Sequence, residues 1–205
     1  MITKLQAVNN VLRRLGKLPV DALDTNGTST HAHVERMIDD SATAVQGEGW
    51  YWNTKFDVEP PLDGDSKLNV SQLEAKDGGG YWNIYHVDTD YSESKNVVRK
   101  GDYLYDIDDN TFVFSGTVKV RYTYERDFAE IPDAFQNLIV SKASFNFNRY
   151  YLGNPSLEGA LSLEMQSAQR LVNREEIRQA DVDVLGTNNM SQIRGRPRSP
   201  YRSIY

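Results

Sequence analysis

The segment IPDAFQNLIVSKASFNFNRYYLGNPSLEGALSLEMQSAQRLVNREE, residues 131–176, predicts two helices folded back on each other. In both halves apolar side chains recur in steps of three and four, which is the spacing of a helical stripe. The stripes consist of Phe135, Ile139, Ala143, Phe147 and Tyr150, and of Leu157, Leu161, Met165, Ala168 and Val172. Between them, Gly153 suits a helix end, Asn154 an N-cap and Pro155 a first helical position. A helical hairpin this long needs a further apolar face to pack against.

Two more helices are predicted near the start of the chain. The first covers residues 3–15, and Thr3 with Gln6 has the spacing of a capping box. The second covers residues 30–46 and is stopped by Gly47. Each carries one apolar stripe, so together they offer the face that the later hairpin needs.

Strands are predicted between the two helical halves, because the apolar period changes there from about 3.6 to 2. The change begins at Trp50, and turn residues punctuate the rest of the segment. The predicted strands are residues 50–58, 68–72, 81–87, 96–99, 103–107, 111–114 and 117–124. One block of strands between two blocks of helices predicts an α+β fold with segregated helices and an antiparallel sheet. We expect domain boundaries at residues 1–49, 50–128, 129–180 and 181–205.

Composition is that of an ordinary globular protein, with 39% hydrophobic and 25% charged residues in 205. No run of eighteen apolar residues and no N-terminal signal pattern occurs. We therefore expect a soluble protein that is used without export and has no membrane partner. Because the chain has no cysteine, disulfides, thiolate nucleophiles and cysteine metal sites are excluded.

The net charge of −6 is unevenly distributed. Four arginines give the last dozen residues a charge of +4, so residues 1–193 carry −10. An acidic body argues against a surface that grips the phosphate backbone of nucleic acid. It suits a surface that DNA passes without adhering.

The segment 181–205 predicts an extended arm, since it loses apolar periodicity and gains Gly, Asn, Ser, Pro and Arg. Such a segment stays disordered until a partner orders it. Arginine with tyrosine is typical of protein interfaces, although weak DNA contact and a flexible end without function are alternatives. The candidate residues are Arg194, Arg196, Arg198, Tyr201, Arg202 and Tyr205.

Several short sequence patterns are informative when their order along the chain is considered together. They are Ala7-Val8-Asn9, Leu12, Gly16, Pro19-Val20, Gly49-Trp50, Trp52-Asn53, Ile131-Pro132, Ile139, Ala143, Phe147 and Gly153. In this order and at nearly this spacing, over residues 5–175, the chain resembles the tail tubular protein A family of short-tailed, podovirus-type phages. That family forms the adaptor, or gatekeeper, below the portal.

The resemblance implies an antiparallel four-helix domain, made of the N-terminal helix pair and the C-terminal hairpin, with the β domain inserted between them. It also implies a dodecameric ring, the portal protein on one side and a nozzle of the tail tubular protein B type on the other, with a tail fibre near the second joint. We expect a virion tail protein, assembled in the host cytoplasm, whose arm binds the portal.

DNA is expected to pass through the lumen of this ring during ejection without specific binding. Candidate acids for the lumen are Asp39, Asp40 and Glu48, on or just after the second helix. Tyr81 and Trp82, beside a triple glycine, are candidates for contact with a neighbouring copy, the nozzle or a fibre, and a sugar is the alternative.

No catalytic or metal-binding motif emerges from the residues. His31 and His33 point to different sides of a helix start, and His86 has no partner at ligand spacing. Residues 106–117 fail the calcium-loop pattern at its sixth and twelfth positions, where Thr111 and Thr117 stand, and a hairpin turn with Asn110 in the left-handed region is the better interpretation.

Nucleotide hydrolysis is not expected, because no phosphate loop follows the triple glycine. A nucleophile elbow is also missing from the sequence. We therefore expect a structural protein without cofactor or metal. The alternative is a tail-associated peptidoglycan or polysaccharide hydrolase, since a pair of catalytic carboxylates among 29 acids is recognised only from its three-dimensional separation.

Overall fold

The structure is a computed structural model that describes residues 2–24, 27–89 and 95–186, with side chains up to residue 179. The described chain divides into two compact units, a helical unit built from the residues up to Val45 and residues 127–186, and a β unit that contains residues 46–126. Helices and small antiparallel sheets are both present, which confirms the predicted α+β class. Within the described residues, no helix is both long and apolar enough to cross a membrane.

Within the residues that the structure describes, four α-helices account for most of the helical unit: α1 (Lys4–Arg14), α2 (Thr30–Gln46), α3 (Asp133–Phe147) and α4 (Pro155–Gly186). The capping box of α1 is confirmed, because Thr3 Oγ1 accepts from Gln6 N at 3.2 Å and Thr3 N donates to Gln6 Oε1 at 2.8 Å. Helix α3 contacts both α1 and α4. The central position of α3 explains why it is buried over most of its length.

Polar side chains reinforce the contacts of α3. Gln136 is buried; its amide donates to Phe128 O at 2.7 Å and its oxygen accepts from Ile2 N at 3.0 Å. Arg14 of α1 donates to Ser141 Oγ at 2.8 Å. The apolar core around them contains Ala7, Val8, Val11, Leu12, Ala32, Val34, Ile38, Ile131, Phe135, Leu138, Ile139, Ala143, Phe147, Leu161, Ala168 and Val172.

A π-helical turn, Asn148–Leu152, joins α3 to the loop before α4. Gly153 follows with φ 58° and ψ 32°, the predicted left-handed stop, and Asn154 Oδ1 accepts from Ser156 N at 3.0 Å as the predicted cap. Tyr150 is 69% exposed, so its place in the buried stripe of α3 was wrong: the wider turn moves it outward. Helix α4 runs on to Gly186, which makes residues 181–186 helical where an extended arm was predicted.

The described residues of the β unit form five strands: β1 (Thr54–Val58), β2 (Ile84–Thr89), β3 (Val97–Lys100), β4 (Tyr103–Asp106) and β5 (Val120–Tyr124). Strand β5 lies between β1 and β2 in an antiparallel sheet, and β3 pairs with β4 in a separate hairpin. Their apolar side chains form one core: Leu68, Val70, Ile84, Leu104, Phe114, Val118, Val120, Tyr122 and Tyr124. Both sheets therefore pack around a single interior.

Two predicted strands are absent from the described part of this unit. Residues 70–72 form a 3₁₀ turn, because Asn69 Oδ1 accepts from Ser71 N and closes the backbone locally. Residues 111–114 make only isolated bridges, at Thr111 and Val113. The first strand also starts later than predicted, since residues 50–53 form a turn.

Candidate functional site

Gly49, Trp50 and Asn53 form a buried corner in the β unit. Asn53 is 0% exposed; its Oδ1 accepts from Trp50 N at 2.8 Å, while its amide donates to Gln46 O at 2.9 Å and Tyr124 O at 3.1 Å. Gly49 has φ +75°, and a Cβ there would lie 3.0 Å from Thr123 Oγ1. Because the side-chain bonds of Asn53 go to the backbone, this motif fixes the course of the chain.

Tyr81 and Trp82 border a shallow depression of about 290 Å³ that is also lined by Lys76, Arg99 and Glu125. Tyr81 is 48% exposed, whereas Trp82 is half-buried and packs against the core of the β unit. The Lys76 ammonium stands 4.2 Å from the centroid of the Trp82 ring, a cation–π contact. The predicted pair therefore divides into an accessible tyrosine and an anchoring tryptophan.

The guanidinium of Arg99 in this depression is committed to the fold. Its Nη1 donates to Ile84 O at 2.7 Å and its Nε to Gly101 O at 2.9 Å. Its Nη2 also donates to Ser71 Oγ at 3.5 Å, so three of the five N–H donors of the guanidinium are used within the fold. Arg99 therefore ties the wall of the depression to the backbone of the β unit.

The candidate lumen acids fall in both units. Asp39 and Asp40 are exposed on α2, and Glu48 is exposed in the β unit. Asp39 Oδ1 lies 2.9 Å from Lys4 Nζ, and the buried Glu35 Oε1 lies 3.3 Å from the same nitrogen. Burial lowers the pKa of Lys4, but the hydrogen bonds and charges of Asp39 and Glu35 outweigh it and raise that pKa overall. Lys4 therefore neutralises part of the acidic surface of α2.

The turn at residues 106–111 has the geometry of a hairpin. Asp106 is fully buried, and its Oδ1 accepts from the backbone N of Asp108 and Asp109 at 3.0 and 3.1 Å. Its Oδ2 accepts from Lys95 Nζ at 2.9 Å, and this hydrogen bond, with those from the backbone, lowers the pKa of Asp106. Asn110 has φ 53°, which confirms the predicted left-handed position.

No group of three or more His, Asp or Glu side chains in the part of the chain that the structure describes is arranged to hold a metal ion. Ser29 is placed near His31 and Asp24, but Asp24 Oδ2 lies 3.6 Å from the same imidazole nitrogen, Nε2, that contacts Ser29 Oγ. A catalytic triad needs the carboxylate on the other nitrogen. Ser29 also accepts from Ala32 N, so this cluster caps the start of α2.

Comparison with known proteins decides the family. The model of a family described as tail tubular protein matches residues 5–182, which covers most of both units and the buried corner at Gly49–Asn53. The chain belongs to the tail tubular protein family. A relative, tail tubular protein A of Klebsiella phage KP34, is 24% identical over 191 residues, which cover 93% of this chain and 96% of the relative. This tail tubular protein is therefore a structural component of a phage tail.

Exposed apolar side chains on this tail tubular protein form two surfaces that the sequence patterns did not single out. One is the tip of the hairpin, where Tyr150 and Tyr151 are 69% and 52% exposed. The other is the outer face of α4, where Leu163, Leu171 and Ile177 are exposed. In the sequence these residues lie off the predicted stripe of Leu161, Ala168 and Val172, but their spacing alone does not show which of the two sides of the helix is free.

The arginine arm stays a prediction. Arg194, Arg196, Arg198, Tyr201, Arg202 and Tyr205 lie outside the described residues, and they also lie beyond residue 182, where the family match ends.

Proposed function

We propose that this tail tubular protein is the head-to-tail adaptor of its phage. In this proposal about twelve copies form a ring that joins the portal protein to a nozzle of the tail tubular protein B type and encloses part of the channel for DNA ejection. The observation that carries it is the similarity to a tail tubular protein A over 96% of that relative's length. A likeness that runs through both units favours the role of a whole protein of this type over that of a shared module.

The fold is compatible with such an adaptor. In the proposal, α1 to α4 form a four-helix domain that packs side by side around the ring, and the β unit is an insertion that extends toward the nozzle. The contacts of α3 with α1 and α4 support the helical part of this arrangement. Weak contacts repeated around a closed ring add up to high stability.

Charges support a lumen through which DNA slides. Residues 1–193 carry a net charge of −10, and exposed carboxylates of Asp39, Asp40 and Glu48 are the candidates for its wall. Repulsion between these acids and phosphates would keep DNA from adhering during ejection. The segment 187–205, with its four arginines, is proposed as the arm that binds the portal, and Tyr81 with Trp82 as the contact to the nozzle or a fibre.

The test mixes the full chain with the portal protein of its phage and examines the product by electron microscopy and native mass spectrometry. We expect a ring of about twelve copies on the portal, and added nozzle protein should extend it. Failure to bind either protein would contradict the adaptor function. Saturable turnover of peptidoglycan above a heat-inactivated control would instead favour a hydrolase.

The arm is tested separately with a chain that ends at residue 186. We expect this truncated chain to fold and to lose its affinity for the portal. Replacement of Arg194, Arg196, Arg198 and Arg202 by glutamine is the matched variant, since it keeps the length and removes the charge. Portal binding that survives in both would contradict the arm's assignment while leaving the adaptor function intact.

A further inference from the structure

The outer face of α4 combines cations with apolar side chains. Arg170, Arg174 and Arg178 follow each other at intervals of four residues, so they form one row on the helix, about 6 Å apart along the axis. All three are exposed, and none forms an ion pair within the part of the chain that the structure describes. Like charges at this spacing repel, so the row does not stabilise the helix that carries it.

Leucine and isoleucine side chains flank the arginine row. Leu163 and Ile177 are 65% and 55% exposed, and Leu171 is 46% exposed. On a helix these positions fall on the side opposite the buried Leu161, Ala168 and Val172. Arginine among exposed apolar groups is the composition of a protein interface, whereas a surface for the phosphate backbone would gain nothing from the aliphatic groups. The face therefore favours a protein partner with an acidic surface.

We propose that this face, residues 163–178 of α4, binds an acidic surface on a second copy of the chain. The inference rests on the proposed ring and adds the surface that builds it. Apart from the arginines of its last dozen residues, the chain carries −10, so a second copy offers the required charge. Charge complementarity thus identifies the occupant.

The charges and the proposed ring together define the geometry of the contact. Two copies cannot join row to row, because the like charges would repel, and in the proposed ring the contact is repeated from copy to copy instead of being closed by a two-fold axis. The row must instead meet a different, acidic surface of the neighbour. In such a head-to-tail contact every pair of copies still has one unoccupied arginine row and one unoccupied acidic surface. Further copies therefore add until the ring closes.

The experiment compares two triple variants of the full chain in ring assembly on the portal. In the first, Arg170→Glu, Arg174→Glu and Arg178→Glu reverse the row. In the control, Arg13→Glu, Arg36→Glu and Arg149→Glu reverse three exposed arginines elsewhere in the helical unit, with the same change in net charge. Far-UV circular dichroism checks that both fold. We expect at least a tenfold loss of ring formation for the first and wild-type rings for the control.

A head-to-tail contact also predicts that the first variant inhibits ring assembly by the wild-type chain. The first variant keeps its acidic surface, so it should bind the row of a wild-type copy and stop further growth. An equimolar mixture with wild-type chain should therefore give fewer closed rings than the same amount of wild-type chain alone. Wild-type yields from that mixture, or rings from the first variant alone, would overturn the proposal.

A photocrosslinking residue at position 171 gives a readout that needs no charge change. In a mixture of full-length chain with portal protein, nozzle protein and DNA we expect adducts between two copies, with the second crosslinked peptide rich in Asp and Glu. Adducts only with the portal, only with the nozzle or only with DNA would overturn the inference, as would their absence. Portal and nozzle binding are measured in parallel, so the adaptor function can fail while the contact between copies persists, or the reverse.

Discussion

Replacement of Asn53 by alanine tests whether the buried corner holds the β unit together. The side chain satisfies three backbone groups, Trp50 N, Gln46 O and Tyr124 O, at 2.8, 2.9 and 3.1 Å. Alanine has no polar atom, so a buried N–H loses its acceptor and two carbonyls lose a donor. Each buried group left without a partner costs about 1–3 kcal/mol. Gln46 O keeps a bond from Gly49 N at 3.2 Å, so the cost is borne mainly by the other two groups.

We therefore expect Asn53→Ala to lower the free energy of unfolding by about 3 kcal/mol, which is roughly a hundredfold in the folding equilibrium. The three tryptophans of the chain, Trp50, Trp52 and Trp82, all belong to the β unit, so their fluorescence reports on this unit alone. In urea, with a slope of about 1 kcal/mol per molar, the midpoint should fall by roughly 3 M.

Asn83→Ala is the matched control, since Asn83 is exposed in the same unit. Surface substitutions of this kind change stability by about 0.5 kcal/mol or less. If Asn53→Ala and Asn83→Ala unfold within about 1 kcal/mol of each other, the side-chain bonds of Asn53 do not organise the corner, and the reasoning is wrong.

Three further predictions use other contacts. Gly49→Ala should destabilise the β unit more than Gly101→Ala does in urea denaturation, because both have positive φ but only Gly49 has a neighbour within 4 Å of the added Cβ. Because the pKa of Asp106 is lowered in the folded protein, its carboxylate stabilises the β unit at pH values above the ordinary pKa of 3.8, and this stabilisation is lost as the pH falls through the folded pKa. Asp106→Asn does not titrate, so below about pH 4 it should lose less stability than the wild-type chain in an acid titration followed by tryptophan fluorescence. Lys4→Met should destabilise the helical unit by about 1–3 kcal/mol, because the buried Glu35 carboxylate loses the ammonium group of Lys4. The thermal midpoint, measured by far-UV circular dichroism, should fall, and an unchanged midpoint would contradict the pairing.

Local signals explain which parts of the fold could be predicted. Helix ends were found because caps act over four residues: the box at Thr3, the stop at Gly153 and the cap at Asn154 need no distant partner. The segment 50–53 could not be recognised as a turn, because its bends depend on bonds between Asn53 and Tyr124, far along the chain. Alternation of apolar residues there reflects burial in a corner, which periodicity alone does not distinguish from a strand.

The candidate surfaces also divide into those that local sequence predicts and those that depend on distant contacts. Tyr81 was predictable as an accessible aromatic because a flexible triple glycine precedes it. The face of α4 around Arg174 was not, since apolar residues on two sides of a helix reveal which side is free only after α3 has taken the other. Which side chains of a long helix are exposed depends on the elements that pack against it, and a single sequence does not specify those elements.

The π turn after α3 gives the hairpin tolerance to changes in length. Gly153 N donates to Asn148 O at 2.7 Å, which closes a loop one residue longer than an α-helical turn. Each residue rotates an α-helix by about 100°, so an insertion inside α3 would turn half of its buried face toward solvent. At residues 148–152 an extra residue is accommodated as a wider turn, and the register of α3 is unchanged. Relatives are therefore expected to gain or lose single residues at this tip, where Tyr150 can be repositioned without disturbing the core.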